Sequence, residues 1–173
     1  MNQQPSPSHP NSRPNLRHPG VLLATWFGSG YLPKAPGTWG SLAALPFAWI
    51  MVQMWGVWVL AIASGVVFVI GLWAAKDYMD RSGVHDPGPV VIDEVAGQWM
   101  VLLLAPLDPV YYLISFVLFR LFDIFKPWPI SWADKSLAGA WGVMLDDIFA
   151  GLFGLACLYA ILRFGSPIME GLL

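Results

Sequence analysis

The sequence is poor in cysteine and in charged residues. Cys157 is the single cysteine among 173 residues, so no internal disulfide can form. Cys157 and Arg163 match the C-x5-R spacing of tyrosine-phosphatase-type sites, but the residues between them continue an apolar helix and offer no glycine-rich phosphate loop. We interpret that match as accidental.

Only 12% of residues are charged, and the 9 Lys and Arg are scattered among loops. A nucleic-acid-binding surface is therefore not expected.

The first 19 residues lack the apolar centre of a signal peptide, so no cleavage is expected. They contain five prolines among Ser, Asn and Gln, a composition that cannot bury enough apolar surface to fold. We predict a disordered, proline-rich tail over residues 1–19. Residues 20–173 contain no internal repeat, and their amino-acid composition does not change at any point that would mark a domain boundary. They are predicted to form one domain.

The rest of the chain is strongly apolar. Hydrophobic residues make up 57% of the sequence and the mean hydropathy is +0.59, too apolar for an ordinary soluble domain. The predicted fold is all-α, a compact helical bundle that is integral to a membrane. Some segments of about 15 residues reach only about 22 Å, so the number of crossings stays open. The predicted helices cover residues 42–55, 57–75, 90–104, 110–125 and 142–162.

Acidic residues lie inside three of these apolar segments. Asp146 and Asp147 are near the start of residues 142–162, and Asp93 and Glu94 are near the start of residues 90–104. A charge in the bilayer interior costs a few kcal/mol, so such residues usually face protein, water or an ion. For one pair alone, placement among the lipid headgroups at a helix N-terminus explains the pattern equally well. The repetition in separate segments favours a functional site.

A third segment, residues 110–125, ends in further charges. Arg120, Asp123 and Lys126 follow one another at intervals of three and share roughly one helix face. If the helices alternate in direction, all these charged groups fall at one end of the bundle, and the positive-inside rule makes that end cytoplasmic. Five acids cannot be neutralised by two basic residues, so a Mg²⁺ site is favoured. The alternative is a set of internal ion pairs, such as Arg120 with Asp123.

A loop rich in glycine and proline precedes the first predicted helix, residues 42–55. Thr38 is predicted to be the N-cap of that helix, and free N–H groups there, with the hydroxyls of Thr38 and Ser41, would suit a phosphate. Most such turns are only helix caps, so this signal is weak by itself. His85 is interpreted as a solvated loop residue rather than a ligand.

Several motifs follow one another in order between about residue 28 and residue 151. They are Pro36-Gly37-Thr38 with Gly40-Ser41, Val84-His85-Asp86, Asp93-Glu94 with Gly97, Phe119-Arg120 with Asp123, Lys126-Pro127-Trp128-Pro129-Ile130, and Gly142 with Asp146-Asp147 and Ala150-Gly151. Together they resemble the phosphatidylglycerophosphatase A family of bacterial inner-membrane enzymes. The resemblance implies a compact all-helical fold and a Mg²⁺-dependent lipid phosphatase that converts phosphatidylglycerophosphate to phosphatidylglycerol.

Phosphomonoester hydrolysis needs charge stabilisation on the phosphoryl group and an activated water. We therefore predict that the carboxylates hold the metal, that Asp123 is a ligand or orients water, and that basic and hydroxyl groups bind the phosphate. The predicted metal ligands are Asp93, Glu94, Asp146 and Asp147. The predicted catalytic residues are Asp123, Asp147, Arg120 and Lys126, and the predicted phosphate-binding residues are Thr38, Ser41, Arg120 and Lys126.

Two alternative functions remain open from the sequence. The first is a phosphatase for another lipid phosphate, such as phosphatidic acid, which would differ only in headgroup contacts. The second is a small cation transporter that uses the same acids as an ion path.

Overall fold

The computed structural model describes residues 13–165, and every regular element in that range is helical. The all-α prediction is thus confirmed for this part of the chain. Most of the predicted disordered tail, residues 1–12, lies outside the described residues. The elements are α1 (Pro19–Ala24), a short 3-10 helix (Ser29–Tyr31), α2 (Pro36–Trp55), α3 (Val57–Ser82), α4 (Ile92–Leu102), α5 (Pro109–Phe125), α6 (Ile130–Ser136) and α7 (Gly139–Phe164).

Helix α4 lies at the centre of the bundle and packs against α2, α3, α5 and α7. Nine of its eleven residues are buried, including polar Asp93 and Gln98. Two hydrogen bonds tie it to its neighbours, because Trp99 Nε1 donates to the carbonyl of Ala44 at 2.9 Å and Ser64 Oγ donates to the carbonyl of Ala96 at 3.2 Å. These bonds hold the middle of α4 against α2 and α3.

Glycines let α4 and α7 approach closely. A Cβ atom added at Gly97 would lie 2.5 Å from the carbonyl oxygen of Asp147, and one added at Gly151 would lie 2.6 Å from the carbonyl oxygen of Gly97. Real Cβ atoms do not come this close, so larger residues would push the two helices apart. This contact fixes the position of Asp147 relative to the first turn of α4.

Two predicted helix boundaries were wrong. Helix α2 begins at Pro36, preceded by Ala35 in the left-handed conformation (φ 44°), so Thr38 lies within the first turn and is not the N-cap. Helix α3 continues past residue 75 to Ser82. Its last turns are charged but carry an i,i+4 ion pair between Arg81 and Asp77, which supports helix beyond the apolar segment.

The outer surface of the long helices is apolar. On α3, for example, Trp58 is 79% exposed and Ile62 is 68% exposed. Helices α3 and α7, of 26 residues each, are long and apolar enough to cross a bilayer, and most residues of their apolar segments are not buried by other helices. Helix α6 was not predicted from the apolar pattern. Its half-exposed Trp132 and the exposed Trp128 just before it add to the apolar surface.

Candidate active site

A cavity of about 560 Å³ opens at the end of the bundle where α2, α4 and α7 begin and α5 ends. All seven charged residues that the sequence placed at one end of the bundle line this cavity. The ionisable residues of its wall are His85, Asp86, Asp93, Glu94, Arg120, Asp123, Lys126, Asp134, Asp146 and Asp147. The alternating direction of the helices explains this convergence, because each contributes the end that faces the same way.

Three of these carboxylates form a compact group. Oxygen atoms of Asp93, Glu94 and Asp147 lie within 4.8 Å of one another. Each pair of charges at that distance repels by about 3 kcal/mol at an effective dielectric constant of about 20. The second oxygen of Glu94, Oε2, is buried and has no hydrogen-bond partner among the described residues. Close, under-satisfied carboxylate oxygens fit a hard divalent cation such as Mg²⁺.

Arg120 lies beside this carboxylate group. Its Nη1 atom is 2.5 Å from Asp123 Oδ2 and 3.9 Å from Glu94 Oε1, and all three side chains are at most 14% exposed. The predicted pair of Arg120 with Asp123 one helical turn apart on α5 is therefore present. Its Nε atom is buried and makes no hydrogen bond within residues 13–165. The guanidinium group thus keeps a free donor in a cavity rich in negative charge.

Asp146 is not one of the three clustered carboxylates, and it pairs with Lys126 instead. Its Oδ2 atom accepts a hydrogen bond from Lys126 Nζ at 2.6 Å, and the same Nζ donates to Asp134 Oδ1 at 2.5 Å. Consecutive residues on a helix point about 100° apart, so Asp146 and Asp147 cannot easily face the same ion. Burial of Lys126 disfavours its charge, but hydrogen bonds to Asp134 and Asp146 outweigh burial and raise the pKa of the amine. Lys126 is a fixed cation.

The N-terminus of α2 forms another wall of the cavity through Ala35, Pro36 and Gly37. A Cβ atom added at Gly37 would collide with Glu94 Oε1 and lie 3.0 Å from Arg120 Nη1, so the backbone passes directly over this pair. Thr38 and Ser41 are not among the residues that line the cavity. The Ser41 hydroxyl is fully buried and donates to the carbonyl of Gly37 at 2.9 Å. Their phosphate-binding role stays a prediction without support from the geometry.

Three ionisable wall residues were absent from the predicted site: His85, Asp86 and Asp134. His85 and Asp86 are exposed, as expected of a solvated loop, yet the loop lies at the mouth of the cavity. The sequence could have predicted that His85 and Asp86 lie near the site, because their loop joins the end of α3 to the start of α4 and both lie at the charged end of the bundle. Asp134 had no such signal, since α6 was not predicted.

Comparisons with known proteins agree on one family. The family model described as Phosphatidylglycerophosphatase A matches residues 22–162. A protein of that name from Escherichia coli K12 is 41% identical over 152 residues, covering 87% of each chain. One from Haemophilus influenzae is 38% identical over 155 residues, covering 89% of this chain and 95% of the relative.

A third relative carries a different substrate in its name. It comes from Bacteroides thetaiotaomicron, is provisionally named a phosphatidylinositol-3-phosphatase, and is 37% identical over 146 residues, covering 77% of this chain and 87% of its own. No solved structure gives a significant match.

Proposed function

Because the chain belongs to the phosphatidylglycerophosphatase A family, we propose that it hydrolyses the terminal phosphomonoester of phosphatidylglycerophosphate. The products are phosphatidylglycerol and inorganic phosphate. The observation that carries the proposal is the group of Asp93, Glu94 and Asp147 beside Arg120 in one cavity. Phosphoryl transfer depends mainly on positioning and on charge stabilisation, and this arrangement supplies groups for both.

Asp93, Glu94 and Asp147 would hold Mg²⁺ as carboxylate ligands. When bound, the ion supplies Lewis-acid polarisation of the phosphoryl oxygens and lowers the pKa of a coordinated water. Asp146, which hydrogen-bonds to Lys126, is left out of the ligand set that we propose.

The remaining charged residues have separate tasks in this proposal. Arg120 lines the cavity and binds a phosphate oxygen through its guanidinium group, which Asp123 orients. Asp123 also accepts a hydrogen bond from the attacking water, since it is outside the clustered carboxylates. Lys126 contributes positive charge to the wall, and the start of α2 adds the partial positive charge of a helix N-terminus.

A membrane location suits a lipid substrate. Helices α3 and α7 are each long enough to span a bilayer, and the apolar side chains exposed on α2, α3, α5 and α7 would face lipid. In this arrangement the protein crosses the bacterial inner membrane several times, with the cavity at the cytoplasmic face. Exposed Trp128 and Trp132 beside the cavity fit the headgroup region, where tryptophan is enriched.

The deciding experiment is phosphate release from phosphatidylglycerophosphate by the purified protein in detergent micelles. Release that excess EDTA stops and added Mg²⁺ restores would support both the reaction and the metal. Absence of release from well-folded protein would contradict the proposed reaction. Release that EDTA leaves unchanged would contradict the metal assignment while keeping the reaction.

The relative from Bacteroides thetaiotaomicron favours a test of the headgroup. Phosphatidic acid and phosphatidylinositol 3-phosphate should be measured beside phosphatidylglycerophosphate at equal concentration in the same micelles. We expect the highest kcat/KM for phosphatidylglycerophosphate. A cation transporter would instead move ions across sealed vesicles and leave every lipid phosphate intact.

A further inference from the structure

The loop between α3 and α4 brings a histidine to the mouth of the catalytic cavity. His85 and Asp86 both line the cavity, on a wall that continues through Pro87, Gly88 and Val90 toward Asp93. His85 is exposed and forms no ion pair with any described residue, unlike Arg120 and Lys126. It is the one imidazole among the described residues of the cavity wall. The proposed function assigns it no task.

Hydrolysis of this phosphomonoester has a second chemical requirement besides an activated water. The leaving group is the alkoxide of a glycerol hydroxyl, which is a strong base and leaves slowly unless it receives a proton as the P–O bond breaks. A group that gives this proton must lie in the cavity, carry a proton near neutral pH and release it readily. Each ionisable wall residue can be tested against these conditions.

Most of the wall residues fail them. Asp93, Glu94 and Asp147 are the proposed metal ligands, and metal-bound carboxylates are unprotonated. Asp123, Asp134 and Asp146 are ion-paired with Arg120 or Lys126, and a cationic partner disfavours protonation of a carboxyl group. Asp86 is exposed to water, which stabilises the unprotonated form.

The two basic residues fail for another reason. Arginine does not release its proton in proteins. Lys126 holds its proton strongly, because hydrogen bonds to two carboxylates outweigh its burial and raise its pKa. An imidazole, by contrast, gains and loses a proton near neutral pH.

We propose that His85 is the general acid of the reaction, an inference that rests on the proposed function. Water attacks phosphorus and a new P–O bond forms, while the bond from phosphorus to the glycerol oxygen breaks. The imidazolium of His85 gives its proton to that oxygen, which leaves as the alcohol. Asp123 accepts the proton lost by the attacking water and releases it to solvent, and His85 takes a proton back from solvent, so both groups return to their starting state. No oxidant, reductant or further co-reactant is needed.

The test compares two substrates that differ at one atom. One is phosphatidylglycerophosphate, and the other carries sulfur in place of the bridging oxygen of the terminal phosphate. A thiolate leaves without a proton, so general acid catalysis matters little for the sulfur ester. We expect His85→Gln to lower kcat on the oxygen ester by about 10²- to 10³-fold and to leave kcat on the sulfur ester close to the wild-type value.

A matched control uses the other histidine for which the structure gives contacts. His18 Nδ1 is 3.1 Å from Asp77 Oδ2, and His18 does not line the cavity. His18→Gln should keep the wild-type ratio of the two rates. Circular dichroism and thermal melting of both variants check that each is folded.

Three results would overturn the assignment of His85. They are an equal loss of kcat on both esters, an unchanged kcat on the oxygen ester, and a loss confined to KM, which would indicate headgroup binding alone. Absence of phosphate release from phosphatidylglycerophosphate by the wild-type protein would instead contradict the proposed function. The two failures are therefore distinguishable.

Discussion

At the residue scale, the adjacent acids Asp146 and Asp147 have different surroundings. Asp147 belongs to the carboxylate group with Asp93 and Glu94, whereas Asp146 accepts a hydrogen bond from Lys126. We expect Asp147→Asn to abolish nearly all turnover. Any residual activity should need a higher Mg²⁺ concentration to reach half of its maximum. Asp146→Asn should lower kcat while leaving that Mg²⁺ requirement unchanged. Phosphate release measured over a Mg²⁺ titration separates the two, and equal Mg²⁺ shifts would contradict the division of roles.

Gly37 offers a second test at this scale, because its α-carbon passes over Glu94. Gly37→Ala adds a methyl group that would collide with Glu94 Oε1, so the carboxylate must move away from its partners. We expect kcat/KM to fall by about 10-fold or more, equivalent to at least about 1.4 kcal/mol. Gly88→Ala is the matched control, since Gly88 also lines the cavity but an added Cβ would meet nothing within 4 Å. A similar loss in both variants would show that the glycine contact is not specific.

At the scale of elements, the closely packed pair of α4 and α7 sets the spacing of the acids that we propose as metal ligands. Gly97→Ala would push against the carbonyl of Asp147 and the ring of Phe119. Overpacking of this kind costs about 1–3 kcal/mol, so we expect a lower melting temperature together with weaker Mg²⁺ activation. Gly65→Ala on α3, where an added Cβ meets nothing within 4 Å, should leave both unchanged or raise stability slightly. Unaltered melting and Mg²⁺ activation in Gly97→Ala would contradict this view of the contact.

The apolar segments were sufficient to predict the core of α5 and the start of α4, because hydrophobic runs bounded by prolines determine where those helices lie. The convergence of the acids also followed from sequence, since alternating helices bring their charged ends together. Which of Asp146 and Asp147 joins Asp93 and Glu94 did not follow, because the rotation of α7 is set by its packing against α4. Nor did α6, a seven-residue helix without an apolar run. Its Asp134 lines the cavity and accepts a hydrogen bond from Lys126.

At the scale of the whole molecule, the proposed crossing of the membrane makes a prediction about sidedness. The cavity and α6 lie at one end of the bundle, and the turn between α2 and α3 lies at the other. In a protein with Cys157 replaced by serine, we expect K135C to react with an impermeant maleimide from the cytoplasmic side. Q53C, near the end of α2, should react only from the opposite side. Labelling of both positions from the same side of sealed vesicles would contradict the proposed topology.

The central position of α4 has a consequence for biosynthesis. At about 16 Å it is too short to cross a bilayer, and α7, synthesised last among the helices described, is its most extensive packing partner. Until α7 has emerged from the ribosome, Asp93 and Glu94 of α4 would therefore lie beside lipid. Ribosome stalling or premature termination before residue 139 should give a product that cellular quality-control proteases remove rather than a partly active enzyme.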